Sequence, residues 1–181
     1  MNVHIRIPYS LEKNIGRQYN NEFILCPDGD ALAFMDGDMM FTRNDYGYEL
    51  SKYVNKYPDA VLTCLTNRTH NLSIWQQAPI TSADVLTCLE YAEKIKDDFS
   101  VTEIPAHIPV SMLLMVIPKA IWEKYPFSEM NHYRPNEPNL LGCDNEWTNR
   151  IRRNGIKILR MNSVLMYHQY RLKNGSKSHL I

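Results

Sequence analysis

Five consecutive apolar residues, Ala31-Leu32-Ala33-Phe34-Met35, end abruptly in Asp36-Gly37-Asp38. A run of that length, flanked by turn residues, suits a buried strand better than a helix. Two carboxylates one residue apart at its carboxyl end offer hard oxygen ligands at a sheet edge, where open α/β sheets hold a divalent cation or a phosphate. The alternative for the same residues is a solvated strand-to-loop turn. A second Asp-x-Asp, Asp28-Gly29-Asp30, follows Cys26-Pro27 and has turn chemistry: proline presets φ, Asp bonds its own backbone and Gly accepts positive φ. We read that copy as a turn.

The rest of the chain alternates strand and helix patterns, which predicts an α/β fold. Val3, Ile5 and Ile7 alternate with His4 and Arg6, giving a first strand that Pro8 ends. Ser10 can cap a helix over about 11–24, whose stripe is Leu11, Ile15, Tyr19 and Phe23. Gly16 inside it costs ~1 kcal/mol relative to Ala, which points to a close approach by a phosphate or a neighbouring strand. Tyr46 to Tyr57 reads as a helix stopped by Pro58, and Ala60 to Leu65 as a strand that Thr66-Asn67-Arg68 leaves. Thr81 with Asp84 resembles a capping box for a helix with core face Val85, Leu86, Leu89, Ala92 and Ile95. Val110 to Ile117 is the next strand and Lys119 to Lys124 a helical turn. Ser128 to Leu141 is a long polar loop, Trp147 and Ile151 anchor a helix that stops at Asn154-Gly155, and Ile156 to Tyr167 forms one or two β segments before His168.

A chain of 181 residues with 44% hydrophobic and 10% aromatic residues can build one sizeable core, so residues 1–181 are expected to form a single domain. Twenty basic and twenty acidic residues give zero net charge, which argues against a nucleic-acid-binding surface. Cys26, Cys64, Cys88 and Cys143 are widely spaced, suggesting neither a zinc knuckle nor a disulfide framework. No apolar signal segment opens the chain and no run approaches the ~18 residues of a transmembrane span. The expectation is a cytoplasmic protein with reduced thiols.

Two further features belong with the carboxylates. Gly142-Cys143-Asp144-Asn145-Glu146-Trp147 opens a late helix with an acidic cluster, where Asp as N-cap and Glu in the first turn would also suit the helix dipole. His168 closes an apolar β-like run and precedes Arg171 and Lys173; it is either a satisfied structural residue or a ligand.

Taken in order, the strand ending in Asp-x-Asp, the Gly-x-Asp-Asn-Glu helix start and the strand ending in His resemble family-2-type glycosyltransferases of the GT-A fold. Asn14-Ile15-Gly16-Arg17 is similar to the Asn-x-Gly helix that those enzymes place before the Asp-x-Asp strand, and Ser111 to Lys119, followed by Phe127, to their central acceptor-side strand. The resemblance runs over roughly residues 3 to 171 and is strongest to small bacterial and phage-type members. It implies a minimal GT-A-like (Rossmann-like) mixed sheet flanked by helices.

The resemblance also implies roles. Asp36 would face the nucleotide ribose or a metal-bound water, Asp38 would bind the cation, and His168 would add a ligand, with Mn²⁺ or Mg²⁺ bridging the diphosphate of a UDP- or GDP-type sugar donor. Asp144 would be the general base of an inverting transfer to an acceptor hydroxyl on a glycan or other molecule. Pro8 and Tyr9 would stack on the base, Asn14, Gly16, Arg17 and Arg171 would serve the nucleotide and diphosphate, and Glu146 or Trp147 would line the acceptor site.

The chain departs from the family pattern at two places. Cys143 stands where an acidic residue often precedes the base, and about three residues separate Ile7 from the first helix, where the family has further strand-helix units. That shortening leaves three alternatives to an active transferase: a catalytically silent binding protein, a subunit completed by a partner or a second copy, and a metal-dependent nucleotidyltransferase using the same carboxylates.

Overall fold

The computed structural model describes residues 1–69, 71–130 and 142–169. Its strands are β1 (Val3–Arg6), β2 (Ala31–Met35), β3 (Met39–Phe41), β4 (Val61–Thr66), β5 (Val101–Glu103), β6 (Leu114–Pro118) and β7 (Ile158–His168). Its helices are α1 (Ile15–Ile24), α2 (Tyr46–Lys56), α3 (Val85–Ile95), α4 (Lys119–Lys124) and α5 (Cys143–Arg153). One mixed sheet runs in the order β1-β2-β6-β4-β7-β3, with β5 also paired to β7. This is the α/β sheet flanked by helices that the alternating pattern predicts. No helix among the described residues is long and apolar enough to cross a membrane.

Strand direction decides where a site can form. β1 is parallel to β2 and β4 to β7, whereas β6 is antiparallel to both β2 and β4. The carboxyl ends of β1, β2, β4 and β7 therefore meet the amino end of β6 along one edge, the edge at which open α/β sheets bind ligands.

The core explains why β2 is apolar without alternation. Leu32 and Phe34 enter a cluster with Tyr19, Phe23, Phe127, Trp147 and Ile151, while Ala31 and Ala33 face Leu50, Tyr53 and Val54 on the other side. Both faces are covered, and each fully buried large side chain contributes roughly 1.5–3 kcal/mol. The small alanines sit where α2 packs and the large residues where α1 and α5 do.

Several boundaries differ from the sequence expectations. α1 starts at Ile15, with Asn14 as N-cap accepting from the Arg17 amide at 3.0 Å. Ser10 instead receives the Asn14 amide at 2.9 Å, and Leu11 is 85% exposed and off the apolar stripe. α3 is capped by Asp84, whose carboxylate accepts from the Thr87 amide; Leu86 faces solvent and Cys88 with Ala92 face the core. β6 begins at Leu114, with Val110, Met112 and Leu113 buried but ahead of the strand. β3 and β5, each three residues long, carry too little periodicity to be read from sequence. The Asp28-Gly29-Asp30 turn forms as expected, with Gly29 at φ +80°. Asp30 ties down the N-terminus by accepting from the Asn2 amide and pairing with His4, which holds its carboxyl at about 2.

Candidate functional site

Asp36 is the first residue past β2, and its amide continues the ladder to β6 by donating to the Leu113 carbonyl at 3.1 Å. The chain then turns tightly, with the Met39 amide donating back to the Asp36 carbonyl, and enters β3. β3 pairs with the end of β7 so that Met39 lies opposite His168. That register brings Asp38 to the imidazole: Asp38 Oδ2 is 3.3 Å from His168 Nε2, and the Asp38 carbonyl accepts the Gln169 amide. The short β3 strand is what delivers the second carboxylate of Asp-x-Asp to the histidine.

His168 is held from its other side. Its Nδ1 lies 2.7 Å from the Arg68 carbonyl, which can only accept, so Nδ1 carries the proton and Nε2 faces Asp38. Its backbone amide donates to Asn67 Oδ1 at 2.7 Å, and Asn67, fully buried, donates in turn to the Ser82 carbonyl. Gln77 ties the same corner by donating to the Asn67 and Ile80 carbonyls. A histidine fixed through Nδ1 to a carbonyl, with Nε2 aimed at a carboxylate, has the arrangement of a metal ligand with its outer partner.

Asp144 arrives on α5. Gly142 precedes this helix at φ +86°, a left-handed conformation that glycine adopts without penalty, and Gly142 rather than Asp144 is the N-cap. Asp144 is therefore not used as a cap; its carboxylate accepts the Asn145 amide at 2.8 Å. Burial pushes its carboxyl above the usual range, against the pull of that amide.

These groups share one cavity of about 520 Å³, whose wall includes Asp36, Asp38, Asp144 and His168 together with Thr69 and Ser111. Pro8, Ile15 and Tyr19 supply an apolar side. Asp36 feels the arrangement most: burial, then the charges of Asp38 and Asp144, raise its carboxyl to about 7. No lysine or arginine is among the described residues of that wall.

Carboxylate and imidazole are donor types that divalent cations take. The charges of Asp38 and Asp144 add to the cost of ionising Asp36, and a cation would reverse that effect. Among the described residues no three His, Cys, Asp or Glu side chains close into a ready-made cage.

The other sequence-predicted residues divide. Pro8 lines the cavity, whereas Tyr9, Asn14 and Arg17 line a separate cavity of about 290 Å³. Arg17 is spent on Glu12 at 2.8 Å and Glu129 at 3.0 Å, and so does not reach the carboxylates. Gly16 is buried within α1. Glu146 pairs with Arg150 at 2.8 Å. Trp147 is fully buried, stacks on Phe127 at 4.5 Å and donates to the Tyr125 carbonyl, which removes it from any acceptor surface. Arg171 and most of the Ser128 to Leu141 loop lie outside the described residues. Sequence reasoning missed Tyr19, Thr69, Ser111 and Asn145 as wall residues, and Asn67 as the support of His168. Tyr19 reads as core because it also sits on the apolar stripe of α1.

No family model matches the chain, and no curated protein matches it.

Proposed function

We propose that the protein is an inverting glycosyltransferase of GT-A type that moves a sugar from a nucleoside-diphosphate donor to an acceptor hydroxyl. One observation carries this reading: Asp36 and Asp38 from the turn after β2, His168 from β7 and Asp144 from α5 line a single cavity although the sequence separates them by up to 132 positions. A bound Mn²⁺ or Mg²⁺ would act as a Lewis acid that neutralises charge on the departing diphosphate. Asp38 and His168 are the residues to hold it, with Asp36 at the ribose or at a coordinated water.

Asp144 takes the proton of the acceptor hydroxyl as that oxygen attacks the anomeric carbon. The bond to the diphosphate breaks on the opposite face, so the anomeric configuration inverts. A buried carboxyl raised above its usual range is the stronger base, and such a base contributes typically 10²- to 10⁴-fold. Pro8, Ile15 and Tyr19 keep water from one side of the reacting sugar.

Donor binding without turnover is a second reading, favoured by the position of β1. It is an edge strand, and no further strand-helix unit stands between it and α1 to widen the nucleotide wall. A nucleotidyltransferase reading has less support, since a triphosphate carries more charge than a diphosphate and no lysine or arginine is among the described wall residues. A screen of nucleotide sugars with Mn²⁺ separates the first two. We expect Asp144→Asn to bind nucleoside diphosphate as the wild type does while transfer and donor hydrolysis fall at least about 100-fold. Binding with no turnover of any donor by the wild type would favour the second reading.

A further inference from the structure

Arg68 follows β4 at the ligand-binding edge and is only 5% exposed. Its Nε and Nη1 have no hydrogen-bond partner, and among the described residues no carboxylate lies within ion-pair distance of its guanidinium. The next residue, Thr69, lines the cavity, is 6% exposed and leaves its Oγ1 equally without a partner. Arg68 also touches the site through its backbone, because its carbonyl fixes His168.

An arginine cannot shed its proton to relieve such burial, and an uncompensated buried cation is costly to keep. The neighbouring cavity gains the opposite imbalance as the bond between sugar and diphosphate breaks. A nucleoside diphosphate leaves with about two negative charges on its terminal phosphate above a second pKa of about 6, plus one on the inner phosphate. One divalent cation offsets two of these. The third needs a cation that the described wall does not supply, and Arg17, expected to do so, is tied to Glu12 and Glu129.

We infer that Arg68 and Thr69 form the anion-binding half of the site, the guanidinium pairing with a diphosphate oxygen and the Thr69 hydroxyl donating a hydrogen bond beside it. This rests on the donor-site reading above and adds to it the residue that recognises the leaving group. A rotamer change at Arg68, whose long side chain has several torsions, accompanies the pairing, so the buried charge meets its partner only when a diphosphate is present.

Titration with inorganic pyrophosphate in the presence of Mn²⁺ tests the inference. Arg68→Met is expected to weaken pyrophosphate binding about 10- to 100-fold, as loss of a charge-assisted hydrogen bond does, and to leave the affinity for Mn²⁺ alone unchanged. Its melting temperature without ligand should equal or exceed that of the wild type, because a buried charge with no carboxylate partner among the described residues has been removed. Arg68→Lys should fall between the two in affinity, and it decides the matter if the methionine variant does not fold. Thr69→Val should lose a few-fold. Pyrophosphate binding that Asp38→Ala abolishes but neither Arg68 variant alters would overturn this inference and leave the donor site standing. A wild type that binds no pyrophosphate with Mn²⁺ would overturn both.

Discussion

Asp36 follows a strand whose first four residues are fully buried, and its own burial, with the charges of Asp38 and Asp144, raises its carboxyl to about 7. Glu49 on α2 is a second carboxyl of the same kind, 2% exposed and raised to about 7 by burial that Arg43, 4.0 Å away, offsets only in part. Arg43 gives its closer contact to Asp45. In each case the folded state keeps a proton that the unfolded chain gives up near pH 4 to 4.5. Folding stability therefore declines as pH rises from about 4.5 to about 7 and levels off above that. Glu49→Gln should flatten part of this decline and leave the part due to Asp36; denaturant midpoints measured between pH 4 and 8 check it, and an unchanged slope would mean that Glu49 does not titrate in this range. The shared cavity of Asp38, Asp144 and His168 accords with the sequence, where Asp38 and His168 close apolar β runs and Asp144 opens a late helix. Arg68 and Thr69 were not legible there, since an arginine after a strand gives no sign of burial until the sheet is assembled.

The elements show why some of the site was visible and some was not. β2 could be read from five apolar residues, but β3 could not be read from three, and β3 is what sets Asp38 against His168. The loop after β4 looked like a connection, yet Asn67 supports the His168 backbone while the Arg68 carbonyl orients its ring. Asn67→Ala should weaken Mn²⁺ affinity about 10- to 100-fold, the usual loss when an outer partner of a ligand is removed. Asn67→Asp, which still accepts the His168 amide but cannot donate to Ser82, should lose less. Calorimetric titration with Mn²⁺ reads both, and equal affinity in all three proteins would show that Asn67 has no part in orienting the ligand. Gly142 performs the corresponding task for Asp144. Gly142→Ala places a side chain at φ +86° and should cost about 1–2 kcal/mol of stability, read from denaturant midpoints.

The molecule as a whole brings the chemistry together by strand direction. Four parallel carboxyl ends and one antiparallel amino end meet at one edge, so short segments spread from position 8 to position 168 line one cavity. The α/β class was evident from alternating patterns. The mixed order β1-β2-β6-β4-β7-β3 was not, because pairing between distant strands leaves no local signal. The early end of β1 at Arg6 also has a consequence at this level: under the proposed function a nucleotide would rest on Pro8, Ile15 and the loop after β4, opposite the carboxylates. The most direct test of a shared metal and diphosphate site is the melting temperature with Mn²⁺ and UDP or GDP, each alone and together. A rise that needs both ligands, is lost in Asp38→Ala and His168→Ala, and persists in Asp144→Asn is the result expected. No rise with any nucleoside diphosphate, or one that Asp38→Ala leaves intact, would contradict it.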